Sequence, residues 1–399
     1  MRWETSPEDQ PRNPIALSER IFSVCIFISR SLVDSPTITF VRALSTNDMM
    51  ISLGVFLLDA NSRFAIWYGK NLDRRKKERA QPERSRRCAW AAHDETRSIF
   101  ERKGIWIMQA YQTVRSDGNF SWPNRARIAV VLTSEYEPEY EIKPLTGGQP
   151  NYRQMAEMRY EATRGIWRIL KILGRHGVPS TFFVNGATAQ KYPDSVRAIA
   201  AQGHEVAAHS WNAADHFTMP AEKEDELIGR VIESLEKAAG TRPSGWLTPR
   251  AQISEHTIEL IMKHGFTWHS DCFDDDLPYL LKANGRALVE VPRSTLTDDY
   301  AMMGNLTARP FGSHRDMLAV WIDEFDVLYR EAETEPRLLS INWHQCMLGR
   351  PAVSKVLDDL LAHIKKHDGV WFARGCDIAK FWLANNADAT AEPLRAQRL

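Results

Sequence analysis

The sequence predicts an α/β fold of alternating strands and helices, a distorted (β/α)7-8 TIM-like barrel with an N-terminal extension. One observation behind this is a signature that recurs between residues 126 and 374: an amphipathic helix, a glycine, then at once a strand-like run. A second is that no glycine-rich phosphate fingerprint follows the first strand, which disfavours an open dinucleotide-binding sheet. A third is a change of texture near residue 105, where densely charged sequence gives way to this regular alternation.

The elements follow in order. "ARIAVVLTS" (126–134) reads as a buried strand. In the helical run 153–177, Ile166, Leu170 and Leu173 recur at spacings of three and four, one face of a helix. Gly177 ends it, because glycine accepts the left-handed conformation that closes a last turn, and "STFFVNG" follows immediately. The same signature places "SVRAIAAQG" before "HEVAAHS", "ELIGRVIESLEKAAG" before "GWLTPR", "TIELIMKHG" before "FTWHSD", and "VLDDLLAHIKKHDG" before "VWFAR". With the strands "ALVEVP" (287–292) and "RLLSINWH" (337–344) and the helix between them, seven or eight βα units result. Alternation at this spacing implies a parallel sheet wrapped by helices.

Residues 108–386 form the predicted barrel domain, 1–107 the extension and 387–399 a C-terminal tail. The formal charge is zero overall, yet residues 1–107 carry 18 Lys and Arg against 13 Asp and Glu. Within them, residues 70–103 hold twelve basic and six acidic residues with no sustained apolar stripe, and read as a solvated connector. No aromatic platform or recognition-helix pattern accompanies that charge, so no nucleic-acid partner is expected. The apolar runs 21–29 and 49–58 fall short of the ~20 residues of a membrane helix, and no membrane association is expected. Five scattered cysteines without a CxxC pair, and a poor match to a secretory signal, predict a reducing, cytoplasmic setting.

In a parallel barrel the loops after the strands converge at one mouth, so chemistry is sought at the strands' carboxyl ends. Those ends supply Glu135 and Glu137, then His209, Trp211 and Asp215, then Arg250, Asp271 and finally His344. Carboxylates and imidazoles can exchange protons with water and with a leaving nitrogen, and a guanidinium can orient a carboxylate or an oxyanion. This is an inventory for hydrolysis. Nucleophilic alternatives lack support, since there is no GxSxG elbow. His204 precedes His209 by an odd number of residues, which on a strand directs it to the opposite side as a structural residue.

"VPSTFFVNGATAQKYPDSVRAIAAQGHEVAAHSW" and "LSINWHQCMLGRP" resemble the polysaccharide deacetylase (NodB-homology) superfamily, over roughly residues 120–385. The resemblance implies a NodB-type distorted barrel that hydrolyses non-peptide carbon–nitrogen bonds. It implies a metal-binding Asp and HxxxH pair with an adjacent Asp as base. Here "SEYE" puts Glu135 nearest the base position and Glu137 nearest the metal carboxylate, an assignment open to exchange, while His344 matches the last motif's histidine. In "HSWNA", His209 matches the first histidine and Ala213 stands where the second belongs.

With that ligand missing, no metal is expected; the fallback is a zinc or other divalent ion held by Glu137, His209 and His216. "HSWNAAD", "GWLTPR", "SDCFDDDLPY" and "HQCMLGRP" are similar to a divergent branch, the metal-independent allantoinases and cyclic imide hydrolases. That likeness implies a small cyclic amide, ureide or N-acyl substrate and assembly into homo-oligomers. The alternatives are a metal-dependent deacetylase of amino-sugar polymers and a catalytically inactive ligand-binding barrel. On the preferred reading Glu135, raised toward neutrality, takes a proton from water oriented by Arg250. His209 and Asp215 hold the carbonyl or ring, and His344, paired with Asp271, protonates the departing nitrogen. Trp211, Asp215, Asp275 and Arg350 would bind the substrate.

Overall fold

A computed structural model describes residues 39–44, 50–57, 64–70, 111–116, 118–138, 149–303 and 313–386. The chain divides into two compact units, Met1–Ala89 and Trp90–Leu399. The boundary expected at residue 107, most of the basic run and the C-terminal tail lie outside the described residues. In the first unit, β1 (Thr39–Leu44), β2 (Met50–Leu57) and β3 (Phe64–Lys70) form an antiparallel sheet in that order. Among the described residues no helix is long and apolar enough to cross a membrane.

The second unit opens with β4 (Gln112–Val114) and β5 (Ile128–Tyr136). There follow α1 (Tyr152–Tyr160), a π-turn (Glu161–Gly165) and α2 (Ile166–His176), which the sequence presents as one helix. Gly177 closes it at φ 62°, as its position predicts. Next come β6 (Thr181–Val184), α3 (Gly186–Lys191), α4 (Pro193–Ala201), β7 (Glu205–Ala208), α5 (Ala221–Ala239) and β8 (Gly245–Trp246). These lead to α6 (Thr257–Lys263), β9 (Trp268–His269), β10 (Tyr279–Ala283), β11 (Arg286–Glu290) and α7 (Asp299–Met303). The last elements are α8 (His314–Glu331), β12 (Arg337–His344), α9 (Ser354–Ile364), β13 (Val370–Ala373) and α10 (Gly375–Asn386).

Strands β12, β5, β6, β7, β8, β9 and β11 lie side by side and parallel, with β13 also parallel to β5. Between β11 and β12 no ladder forms. A single parallel bridge, Asp298 to Asn342, joins the segment after β11 to β12, and this is the distortion of the barrel. β10 departs from the simple alternation. It pairs antiparallel with β11 through a tight turn at Asn284 and Gly285, both at positive φ (51° and 74°), and carries β4 on its far side. Asn-Gly between apolar runs is the sequence signal for such a hairpin.

Two apolar cores result. In one, the helices pack on the sheet through Ile128, Val130, Leu132, Ile166, Leu170, Leu339 and Trp343. The other fills the barrel with Ala129, Val131, Phe183, Ala207, Leu247, Trp268 and Leu338, and α10 contributes Ile378 and Trp382 to it.

Candidate active site

The site follows from the period of two along a strand. On β5 the even residues 128, 130 and 132 join the helix-facing core and the odd residues 129 and 131 the interior. The alternation therefore aims Glu135 and Glu137 inward and Tyr136 outward, where its hydroxyl lies 2.7 Å from Ser195 Oγ. On β12, Leu339, Ile341 and Trp343 face the helices, leaving Asn342 and His344 inward. On β7, Val206 and Ala208 face outward and Ala207 inward, so His209 joins the inward set. His204 lies on the other side, its ring 5.5 Å from that of Phe182.

Glu135 is the hub. Its Oε1 accepts hydrogen bonds from Arg293 Nη1 (2.9 Å) and Asn342 Nδ2 (2.8 Å). Its Oε2 lies 3.4 Å from both His209 Nε2 and His344 Nε2. Glu137 Oε2 is 3.2 Å from the same His209 nitrogen. His209 Nδ1 is 2.9 Å from the Leu247 carbonyl, which accepts only if that nitrogen carries a proton, and this turns Nε2 toward the two carboxylates. His344 Nδ1 is 2.9 Å from Asp299 Oδ1, and the same carboxylate accepts the His344 backbone N–H. All of these side chains are buried.

Charge is concentrated accordingly. Burial by itself would raise the Glu135 pKa, but His344 and His209 beside it hold it well below the usual carboxylate value. Burial opposes charging His209, yet Glu135 and Glu137 raise it to about 10. For His344, burial is likewise outweighed, and Glu135 and Asp299 raise it well above the ordinary imidazole value. One more acid stands behind the site. Glu161, in the π-turn, accepts the backbone N–H groups of Glu137 (3.0 Å) and Cys346 (3.3 Å), tying the ends of β5 and β12 together. Burial, then Glu137, pushes its pKa up to about 8. A π-turn often marks a functional position.

The structure brings Glu135, Glu137, His209 and His344 together and corrects several other expectations. Arg250 sits at φ 60° in a turn, exposed, with Nη2 3.5 Å from the Ala213 carbonyl; the guanidinium on Glu135 belongs to Arg293. Asp271 does not pair with His344: its oxygens accept from Thr248 N–H and Oγ1 (2.8 and 3.1 Å), and Asp299 is the partner. Glu135 is not tuned upward, because two imidazoles surround it. His216 cannot serve as a ligand in this arrangement, since Nδ1 meets Glu224 (2.9 Å) and Nε2 meets Ser210 (2.8 Å).

Trp211 packs on Gly186, with the Arg230 guanidinium 3.4 Å from its ring centroid, and lines a separate cavity. Asp215 is exposed before the turn His216–Thr218. Arg350 stacks on Tyr160 at 3.8 Å and donates to the Cys346 carbonyl. Asp275 is ion-paired with Arg115 on the wall of a cavity of 660 Å³ that Phe273, Asp274, Asp276, Arg293 and Ser340 also line. Arg293 thus touches both this cavity and Glu135. The sequence signal for Arg293 was present: it follows β11 by three residues, one past the run "ALVEVP". Asp299 gave none, lying 45 residues from His344 at the start of the short helix α7.

The donors present fit a divalent cation. Glu137 Oε2 and His209 Nε2 are buried and have no partner beyond the facing side chains of this cluster. The separations of 3.2 and 3.4 Å from His209 Nε2 to the two carboxylates approach the roughly 3.3 Å that tetrahedral bonds of about 2.0–2.1 Å would set. Glu135, Glu137 and His344 each offer a ligand atom within 4.8 Å of one another. The third ligand is therefore Glu135 or His344, not His216.

A parallel barrel whose mouth gathers buried carboxylates and imidazoles in contact with one another has the donor set of a hydrolase. Known proteins narrow the class. The polysaccharide deacetylase family model matches residues 158–269. The peptidoglycan deacetylase of Helicobacter pylori is 28% identical over 268 residues, covering 60% of this chain and 91% of its own. The crystal structure of Puue allantoinase superposes with a TM-score of 0.62 at 32% identity, over 66% of this chain and 92% of that one. A "probable polysaccharide deacetylase" from Pseudomonas aeruginosa PAO1 does so with the same TM-score and identity, over 66% and 93%. The chain belongs to the polysaccharide deacetylase (NodB-homology) family, hydrolases of non-peptide carbon–nitrogen bonds.

Proposed function

We propose that the chain hydrolyses the carbon–nitrogen bond of a small cyclic amide or ureide, with Glu135 as base and His344 as acid. The observation that carries this is Glu135 Oε2 lying 3.4 Å from His344 Nε2, so that proton acceptor and proton donor flank one point. Glu135, kept ionised by its neighbours, takes a proton from water as the oxygen attacks the carbonyl carbon. His344, kept protonated by Glu135 and Asp299, gives its Nε2 proton to the nitrogen as the carbon–nitrogen bond breaks. The proton on Glu135 then passes to His344 and restores both groups. Arg293 and Asn342 hold Glu135 in place, and His209 carries positive charge for the developing oxyanion. If Glu137 and His209 held a divalent ion, His209 would be neutral and the ion would take over its charge, supplying a more acidic water and polarising the carbonyl.

One feature favours a small substrate. Ala213, buried, leaves the family's HxxxH pair one imidazole short, as expected of a branch that moved from metal-bound sugar chemistry. The second reading, deacetylation of an amino-sugar polymer, is favoured by the likeness to the H. pylori enzyme along 91% of its length. The test is turnover of allantoin, hydantoin, succinimide and N-acetylglucosamine oligomers, with added zinc and with a chelator. Ring opening of a cyclic amide that survives chelation is expected. Zinc-dependent release of acetate from the oligomers, with none of the rings opened, overturns the proposal in favour of the second reading.

A further inference from the structure

Outside the barrel mouth, a second group of side chains has the composition of a metal site. "HIKKH" puts His363 and His367 four residues apart, the spacing that places two imidazoles on one side of a helix end. His363 is in the last turn of α9, His367 in the turn just after it, and Asp326 reaches across from α8. One ligand atom of each lies within 4.8 Å of the others, and all three side chains are half-buried. We propose that Asp326, His363 and His367 bind a divalent transition ion that clamps α8 to α9.

An ion pair between His363 Nε2 and Asp326 Oδ1, at 2.7 Å, accounts for two of these groups and does not include His367. His367 Nδ1 is 3.2 Å from the His363 carbonyl, an acceptor, so Nδ1 holds the proton and Nε2 carries the lone pair. Such an outer hydrogen bond is how ligating histidines are commonly fixed. The rings are held from behind by aromatic neighbours: Tyr329 and Phe325 lie 4.8 and 5.0 Å from His367, and Phe325 lies 5.9 Å from His363. Two imidazoles and one carboxylate suit zinc, cobalt, nickel or copper; magnesium and calcium prefer oxygen throughout. Binding would expel the proton between His363 and Asp326. It would open their 2.7 Å separation toward the roughly 3.3 Å set by bonds of about 2.0–2.1 Å.

The test uses the full chain, with cobalt(II) as the probe in equilibrium dialysis and thermal unfolding. His367→Ala, and His367→Gln as a second variant of similar bulk, should each bind one fewer cobalt ion per chain than the wild type. They should also lose the part of the cobalt-induced rise in Tm that linkage assigns to this site, while magnesium gives no such rise. His209→Ala, which alters the barrel mouth, should keep this ion. Unchanged stoichiometry and Tm response in both His367 variants, or no cobalt bound by His209→Ala, overturns the proposal.

Discussion

Glu205 and His209 stand four residues apart, both turned into the barrel, at opposite ends of β7, and both are buried. Their surroundings differ in one respect. At the lower end the Glu205 carboxylate accepts from Thr181 Oγ1 (2.8 Å), Ser244 Oγ (3.3 Å), Trp268 Nε1 (3.0 Å) and the Cys376 N–H (2.9 Å). At the upper end His209 Nε2 meets two carboxylates, Glu137 at 3.2 Å and Glu135 at 3.4 Å, so the groups buried there are charged and crowded together. Charge concentrated away from water is costly, and folds keep it chiefly where chemistry needs it. The lower end holds the structure together and the upper end is poised to act on a substrate. That contrast agrees with the division of labour between the two faces of a parallel barrel.

Substitutions at the two ends should separate along this line. The largest effect is expected from Glu135→Gln, which keeps the shape and removes the base. kcat/KM should fall by about 1,000-fold, about 4 kcal/mol, with the urea midpoint nearly unchanged. Glu205→Ala should do the reverse. It strands four donors and should cost about 3 kcal/mol of unfolding free energy by urea titration, while kcat/KM at a permissive temperature stays within a few-fold.

His204, behind the lower end, gives the pH counterpart. Its Nδ1 accepts the Ser180 N–H at 3.1 Å, which requires a lone pair, and burial lowers its pKa from 6.5 to about 4. A histidine depressed in the folded state contributes its full stability above pH 6.5 and loses it as the pH falls toward 4. About 2 kcal/mol should be lost between pH 7.5 and 5, and His204→Gln should flatten that part of the stability curve. The smallest effect is expected at Arg250. Because it lies exposed, and the guanidinium on Glu135 is that of Arg293, Arg250→Ala should change kcat/KM less than threefold, where loss of the Arg293 guanidinium would change it far more.

The sequence carried the scaffold well, because glycine-closed helices and β-branched runs are local signals. It carried Glu135, Glu137, His209 and His344 too, since the period of two and the rule of carboxyl ends together fix which residues face the mouth. It failed where geometry departs from the regular strand. Arg250 is carried aside by a positive-φ turn. Asp271, though at a strand end, is engaged by the backbone of the neighbouring strand. The Asn284-Gly285 hairpin interrupts the uniform alternation, although Asn-Gly between apolar runs is a local turn signal. Asp299 reaches His344 only through the irregular segment that bridges β11 to β12, and no local pattern announces such a contact.

On the proposed mechanism the imidazole of His344, held between Glu135 and Asp299, delivers the proton that lets the carbon–nitrogen bond break. The most direct measurement of this step is kcat/KM together with the unfolding midpoint for His344→Ala. A loss of 100-fold or more in kcat/KM with the fold intact is predicted; a variant that turns over substrate like the parent would contradict it.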